Sequence, residues 1–193
     1  MAETPSTMLP VGTILPGFSL RDAVSGREIS DQDFEEFEAL VVMFICNHCP
    51  FVKHVVEELG RLGRDYIRRG VGFVAINSND VRNYPQDGPV HMKELAEREG
   101  WEFPYLLDAD QQVARAYRAA CTPDFYLFDS ERKLVYRGQL DDSRPGNGRP
   151  VTGRDLRVAL DAVLAGEAVP EAQVASLGCN IKWAPGNAPG YAR

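Results

Sequence analysis

Two short apolar runs, Leu40 to Ile45 and Val71 to Ile76, bracket a segment in which Val52, Val55, Val56, Leu59 and Leu62 recur at three- and four-residue spacing. Each run is continuous, partly β-branched and too short for a buried helix, which suits a strand covered on both faces. The spacing between them predicts a helix of roughly 20 residues that stops at Arg69-Gly70. Strand, helix, strand of this length is a βαβ unit, and its crossover makes the two strands parallel. The chain is therefore of the α/β class.

The rest of the sequence is placed around that unit. Phe18-Ser19-Leu20 and Arg27-Glu28-Ile29, with a turn at Ser25-Gly26, read as an N-terminal hairpin. A helical insertion follows the second strand: Val90 to Arg98, an extended Phe103 to Asp108, then Gln111 to Tyr117. Phe125 to Phe128 and Lys133 to Tyr136 form a second hairpin across Asp129–Arg132, and Asp155 to Leu164 is a closing amphipathic helix. The expectation is one domain over residues 1–193: a central mixed β-sheet flanked by helices, with its core over about 11–166. The tail from 167 carries Pro170, Pro185, Gly186, Pro189 and Gly190, and is expected to be irregular.

The chain's net charge of −7 argues against nucleic acid as a partner, because phosphate contacts need clustered cations. Arg61, Arg64, Arg68 and Arg69 fall at helical spacing and read as a solvated face. No apolar run approaches the ~20 residues that span a bilayer, so no membrane association is expected. The first residues lack the basic start and apolar core of a secretory signal, which leaves a cytoplasmic location as the expectation.

Chemistry concentrates at the first strand-to-helix junction, Cys46-Asn47-His48-Cys49-Pro50. Unsatisfied N–H groups and the macrodipole at a helix start both favour a thiolate, so Cys46 is expected to be the reactive anion there. Cys49, about one turn on, can close a disulfide with it. A partly protonated His48 beside Cys46 would favour the thiolate, and Pro50 suits the first turn. The spacing also fits half of a metal site, but Cys121, Cys179, His54 and His91 supply no second ligand pair, so no metal is expected. Thr122-Pro123 opens a buried strand, a place where proline can be cis. A cis bond would present the Thr122 backbone to an extended substrate. Cys121 is a candidate third thiol, whereas Cys179 lies in a tail with no assigned path.

The segments FICNHCPFVKH, VAINSNDVRNYPQD, FPYLLD, ACTPDFYLFD and YRGQLDDSRPGNG together resemble the thioredoxin superfamily. Within it they are most similar to the cytoplasmic peroxiredoxin-like branch of the alkyl hydroperoxide reductase/thiol-specific antioxidant group. The resemblance implies a thioredoxin-like fold, Cys46 as nucleophile, Cys49 as resolving thiol and Pro123 as a cis proline. The chain departs from both parent patterns. Peroxiredoxins place Thr or Ser three residues before the peroxide-reacting Cys. Aligned on the helix start, Cys49 takes that Cys position and Cys46 stands where the Thr or Ser would be. The Arg expected near the later strand is replaced by Thr122-Pro123-Asp124. Thioredoxins place a buried aspartate six residues before the first Cys, where this chain has Leu40; another acid such as Glu57 or Glu58, or a water, is the candidate substitute.

The reading is a thiol–disulfide oxidoreductase that cycles Cys46 and Cys49 through a mixed disulfide. Its partners would be a protein or small-molecule disulfide and a separate thiol reductant, with no bound metal, nucleotide or flavin. The alternatives are an atypical peroxide reductase and a non-catalytic thiol- or metal-binding module. The loop from Gln139 to Gly148, and Asn77 to Asp80, are expected at the same pole as the cysteines.

Overall fold

The computed structural model describes residues 3–192. In chain order the strands are β1 (Glu3–Pro5), β2 (Ser19–Asp22), β3 (Glu28–Ser30), β4 (Ala39–Phe44), β5 (Val71–Asn77), β6 (Tyr105–Leu107), β7 (Cys121–Thr122), β8 (Asp124–Phe128), β9 (Leu134–Gly138) and β10 (Leu177–Asn180). The helices are α1 (Pro50–Ile67), α2 (Pro89–Arg98), α3 (Gln112–Ala116) and α4 (Arg154–Leu164).

A seven-stranded sheet runs β3-β2-β6-β5-β4-β8-β9. The crossover through α1 makes β4 and β5 parallel, and β6 joins β5 in the same sense. The remaining pairs are antiparallel, β8 running against β4 with Asp124 opposite Phe44. β4 is buried along its whole length because both sheet faces are covered. Val41, Met43 and Ile45 meet Val52, Val55, Leu59 and Leu62 of α1 and Leu156 and Leu160 of α4. Leu40, Val42 and Phe44 face the other way, onto Tyr117, Tyr126 and Phe128. Each buried Leu or Val side chain on these faces contributes roughly 1.5–3 kcal/mol.

A glycine inside a helix normally costs about 0.5–1 kcal/mol, but α1 requires one at Gly63. A Cβ there would meet the Phe103 ring at 2.9 Å. This close approach sets α1 against the segment that leads into β6.

The C-terminal segment corrects the expectation of an irregular tail. Residues 177–180 form β10, the middle strand of a second sheet ordered β1-β10-β7. Glu3 lies opposite Cys179 on one side, and Thr122 lies opposite Cys179 on the other. Proline and glycine content marks where a chain turns, but it does not exclude a short strand between the turns. The path is fixed at both ends: Ser6 N–H donates to Ser176 O (2.8 Å) and Ile181 N–H to Ala120 O (3.0 Å). Among the described residues, no helix is long and apolar enough to cross a membrane.

Candidate active site

The thiols gather where β4 ends and α1 begins. Cys49, with φ −65° and ψ 125°, is the N-cap of α1, and Pro50 occupies the first helical position. Proline suits that position because its missing N–H would have no intrahelical partner. Cys46 therefore lies before the helix, not in its first turn. The expectation that Cys46 collects the field of the helix start is corrected: that place belongs to Cys49.

All four cysteines are unlinked and buried. Cys46 Sγ is 3.4 Å from Thr122 Oγ1, and Cys49 Sγ is 3.2 Å from Thr122 O. The Thr122-Pro123 peptide is cis. Proton sharing within the cysteine pair divides the two thiols. Cys49 is drawn down to about 5, chiefly because Cys46 S–H donates to it. The Cys179 thiol and the backbone at Val52 and Cys179 favour the anion as well, while burial opposes it. Cys46 is pushed well up by its hydrogen bond to Cys49, by burial and by the nearby Asp87 carboxylate. Both directions favour Cys49 over Cys46 as the thiolate.

Asp87, fully buried at the end of a short 3-10 turn, is the organiser the sequence reading missed. Its Oδ1 accepts the backbone N–H groups of Asn47 (2.8 Å) and His48 (3.1 Å). Its Oδ2 accepts from Asn79 Nδ2 at 2.9 Å and lies 2.5 Å from His48 Nδ1. Asn77 Nδ2 donates to Asp87 O, which brings the segment after β5 to this pole. His48 is thus turned onto Asp87 and stacked on Tyr84, 5.6 Å between centroids. His48 lies beside Cys46 as expected, a ring nitrogen within 4.8 Å of the sulfur, and it shares that place with the Asp87 carboxylate, which opposes the Cys46 thiolate. Asn47 donates through Nδ2 to Gln86 O and accepts from Tyr105 Oη at 3.1 Å.

Donor atoms of Cys46, His48 and Asp87 lie within 4.8 Å of one another, a three-ligand set that could hold a metal ion. Both Asp87 oxygens already accept N–H groups, so a metal would have to displace them. A count of Cys and His pairs could not reveal this set, because one member is an aspartate from a distant loop.

Alternation along the strands sorts the other thiols. Successive residues of a strand point to opposite sides, and directly opposed residues share one. Cys179, opposite Thr122, faces Cys49, while Cys121 turns away and donates to Pro123 O at 3.7 Å. The candidate third thiol is corrected accordingly: Cys179, not Cys121, packs in one buried cluster with Cys46 and Cys49. The candidate acids are corrected too. Glu57 is exposed, and Glu58 is buried against Arg157 of α4, with Oε1 2.7 Å from Nη2. The buried acid beside the cis proline is Asp124, whose Oδ2 accepts from Tyr126 Oη (2.9 Å) and Ser6 Oγ (3.1 Å). Its Oδ1 has no partner, and burial pushes its carboxyl up to about 7.

The loop after β9 borders the site as expected. Gln139, Leu140, Ser143 and Arg144 line a small depression with Pro123 and His54. The His54 ring forms part of that wall, and its buried Nε2 has no hydrogen-bond partner.

A family model described as the AhpC/TSA family matches residues 11–137. An uncharacterized conserved protein from Geobacillus kaustophilus superposes with a TM-score of 0.94 at 57% identity, over 96% of this chain and 98% of that one. The thiol-disulfide oxidoreductase ResA of Geobacillus thermodenitrificans (strain NG80-2) is 27% identical over 131 residues, 68% of this chain and 70% of the relative. The thioredoxin domain of a thiol-disulfide oxidoreductase from Bacteroides vulgatus superposes with a TM-score of 0.58 at 19% identity. That match covers 68% of this chain and 89% of the domain, a likeness of fold.

Proposed function

This chain belongs to the AhpC/TSA family, and from that premise we propose that it is a thiol–disulfide oxidoreductase working through a Cys46–Cys49 dithiol/disulfide couple. One observation carries the reading: two buried, unlinked thiols packed together where β4 meets α1, Cys46 Sγ 3.4 Å from Thr122 Oγ1 and Cys49 Sγ 3.2 Å from Thr122 O, beside the cis Pro123. A low-lying thiolate beside a protonated thiol is the arrangement that disulfide exchange requires. The similarity to ResA, a thiol-disulfide oxidoreductase, supports the same chemistry.

The Cys49 thiolate attacks one sulfur of a substrate disulfide. A Cys49–substrate bond forms, the substrate S–S bond breaks, and the leaving thiolate takes a proton. Cys46 then gives up its proton and attacks Cys49 Sγ, forming Cys46–Cys49 and releasing the second substrate thiol. A separate thiol reductant returns the pair to the dithiol. Asp87 fixes the turn between the two sulfurs by holding the Asn47 and His48 N–H groups. Asn47, His48 and Pro50 are positioning residues, and Thr122 and Pro123 form the wall against which the substrate sulfur would be presented. A protein or small-molecule disulfide in a reducing, cytoplasmic setting is the proposed substrate class.

The test is equilibration in glutathione buffers, with mass detection of the Cys46–Cys49 bond and turnover assays on Cys46→Ser and Cys49→Ser. A reversible bond, with turnover lost in both variants, is the expected result. A potential near about −270 mV would mark a reductant, and one nearer about −120 to −200 mV an exchange catalyst. Rapid peroxide consumption that survives Cys46→Ser would replace this reading with peroxide reduction. Stoichiometric zinc with no disulfide at any poise would replace it with a metal-binding module at Cys46, His48 and Asp87.

A further inference from the structure

We propose that Cys179 is a third redox thiol, held by β10 as an internal substrate and able to exchange with the Cys46–Cys49 disulfide to form Cys49–Cys179. The proposal rests on the thiol–disulfide reading of the same site. Three independent features of the fold carry it.

The first is the ladder. An extended substrate meeting this site would pair with the backbone of Thr122, beside the cis proline. That edge is already taken by the chain's own β10, antiparallel to β7, with Cys179 directly opposite Thr122. The second is the closeness of the fit. A Cβ on Gly178 would lie 2.0 Å from Thr122 O, so β10 lies directly on this carbonyl, at a distance only glycine permits. The third is the packing of the sulfurs: Cys46, Cys49 and Cys179 share one buried cluster, and Cys49 Sγ lies 3.2 Å from the carbonyl of Thr122, the residue opposite Cys179. Cys49 therefore stands between two thiols, Cys46 along its own loop and Cys179 across the ladder.

The segment around Cys179 is tethered on both sides, so its position does not depend on the sulfur contact alone. Lys182 N–H donates to Asn79 Oδ1 (2.8 Å), and Asp80 N–H donates to Lys182 O (2.8 Å). These bonds join the end of the tail to the loop that also holds Asp87.

The exchange balances without another reagent. In the oxidised protein, Cys179 loses its proton and attacks Cys49 Sγ. The Cys49–Cys179 bond forms, the Cys46–Cys49 bond breaks, and its electron pair leaves on Cys46, which takes up a proton. In the reduced protein, burial and the Cys49 thiolate keep Cys179 protonated, its thiol pushed up to about 12. Oxidation of Cys49 removes that neighbouring anion. The product leaves Cys46 as a thiol and ties the C-terminal strand covalently to the start of α1.

The experiment uses full-length Cys46→Ser and Cys46→Ser/Cys179→Ser, treated with oxidised glutathione, alkylated, digested and mapped by mass spectrometry. In the single variant, Cys49 takes a glutathione and Cys179 displaces it, so a Cys49–Cys179 peptide is expected. The single variant should then retain less than about one-tenth of the Cys49–glutathione adduct that the double variant accumulates. Wild type, poised in glutathione buffers, should show both Cys46–Cys49 and Cys49–Cys179 peptides, a readout that requires no substitution. A lasting Cys49–glutathione adduct with Cys179 alkylated, and only Cys46–Cys49 in wild type, would overturn the proposal and leave the proposed function standing. No glutathione on Cys49 and no Cys46–Cys49 bond at any poise would overturn both.

Discussion

Asp87 Oδ2 lies 2.5 Å from His48 Nδ1, while Oδ1 of the same carboxylate accepts the backbone N–H groups of Asn47 and His48. One fully buried side chain thus holds the turn that separates Cys46 from Cys49. Its charge also adds to the causes that oppose a thiolate on Cys46, after the neighbouring Cys49 and burial.

Asp87→Asn replaces one acceptor oxygen with a donor facing other donors. Breaking a buried, fully bonded group of this kind should destabilise the protein by roughly 3 kcal/mol, read from denaturant unfolding. Removing the carboxylate also removes one of the causes that raise the Cys46 thiol. In a Cys49→Ser background, the alkylation profile of Cys46 should therefore move to lower pH when Asp87→Asn is added. An unmoved profile would show that the carboxylate acts on folding alone.

Cys49 should carry the acid-shifted reactivity of the reduced protein. Its alkylation by iodoacetamide, followed peptide by peptide, should rise through about pH 5 and be level by neutrality. The Cys46 thiol is the largest cause of that shift, so Cys46→Ser should move the Cys49 profile upward. Acid-shifted alkylation at Cys46 instead would return the reactive role to the first cysteine.

Much of this site was legible in the sequence. Continuous apolar runs around an amphipathic spacing fixed β4, α1 and β5, and the motif between them placed Cys46, Cys49 and Pro50. What escaped depends on long-range geometry. Which thiol caps α1 turned on where the first helical φ/ψ falls, a matter of one turn. Asp87 reaches the motif only because the loop after β5 folds back over it. Cys179 was unreadable because β10 is a short strand between prolines and glycines, recruited by pairing with β1 and β7, not by its own periodicity.

Asp124 should impose a pH dependence on stability. Its folded pKa of about 7 lies above the ordinary aspartate value of 3.8, so between those limits the native state holds a proton that the unfolded chain has lost. Stability from this group is full below the unfolded value and is lost as pH rises through the folded one. Asp124→Asn cannot ionise, and its side-chain oxygen can still accept from Ser6 and Tyr126. It should match wild type near pH 4 and exceed it by on the order of 3–4 kcal/mol above pH 8, in parallel unfolding series. A constant difference across that range would mean that the carboxyl does not titrate there.

Gly178→Ala tests how tightly β10 covers the site. The added methyl would collide with the Thr122 carbonyl, a backbone atom that cannot swing aside as a side chain could. The ladder between β10 and β7 should loosen at a cost of about 2–3 kcal/mol. The rest of the sheet, built on β4 and β5, does not depend on that contact. The loss should therefore appear as local opening and not as global unfolding. Each 1.4 kcal/mol removed from an opening equilibrium exposes Cys49 about tenfold more often, so its alkylation in the folded protein should speed up by at least that factor. Proteolysis should move to the segment around residues 170–180. Unchanged alkylation and an intact tail would mean that β10 does not shield Cys49, and that a substrate reaches the thiolate by another side of the loop.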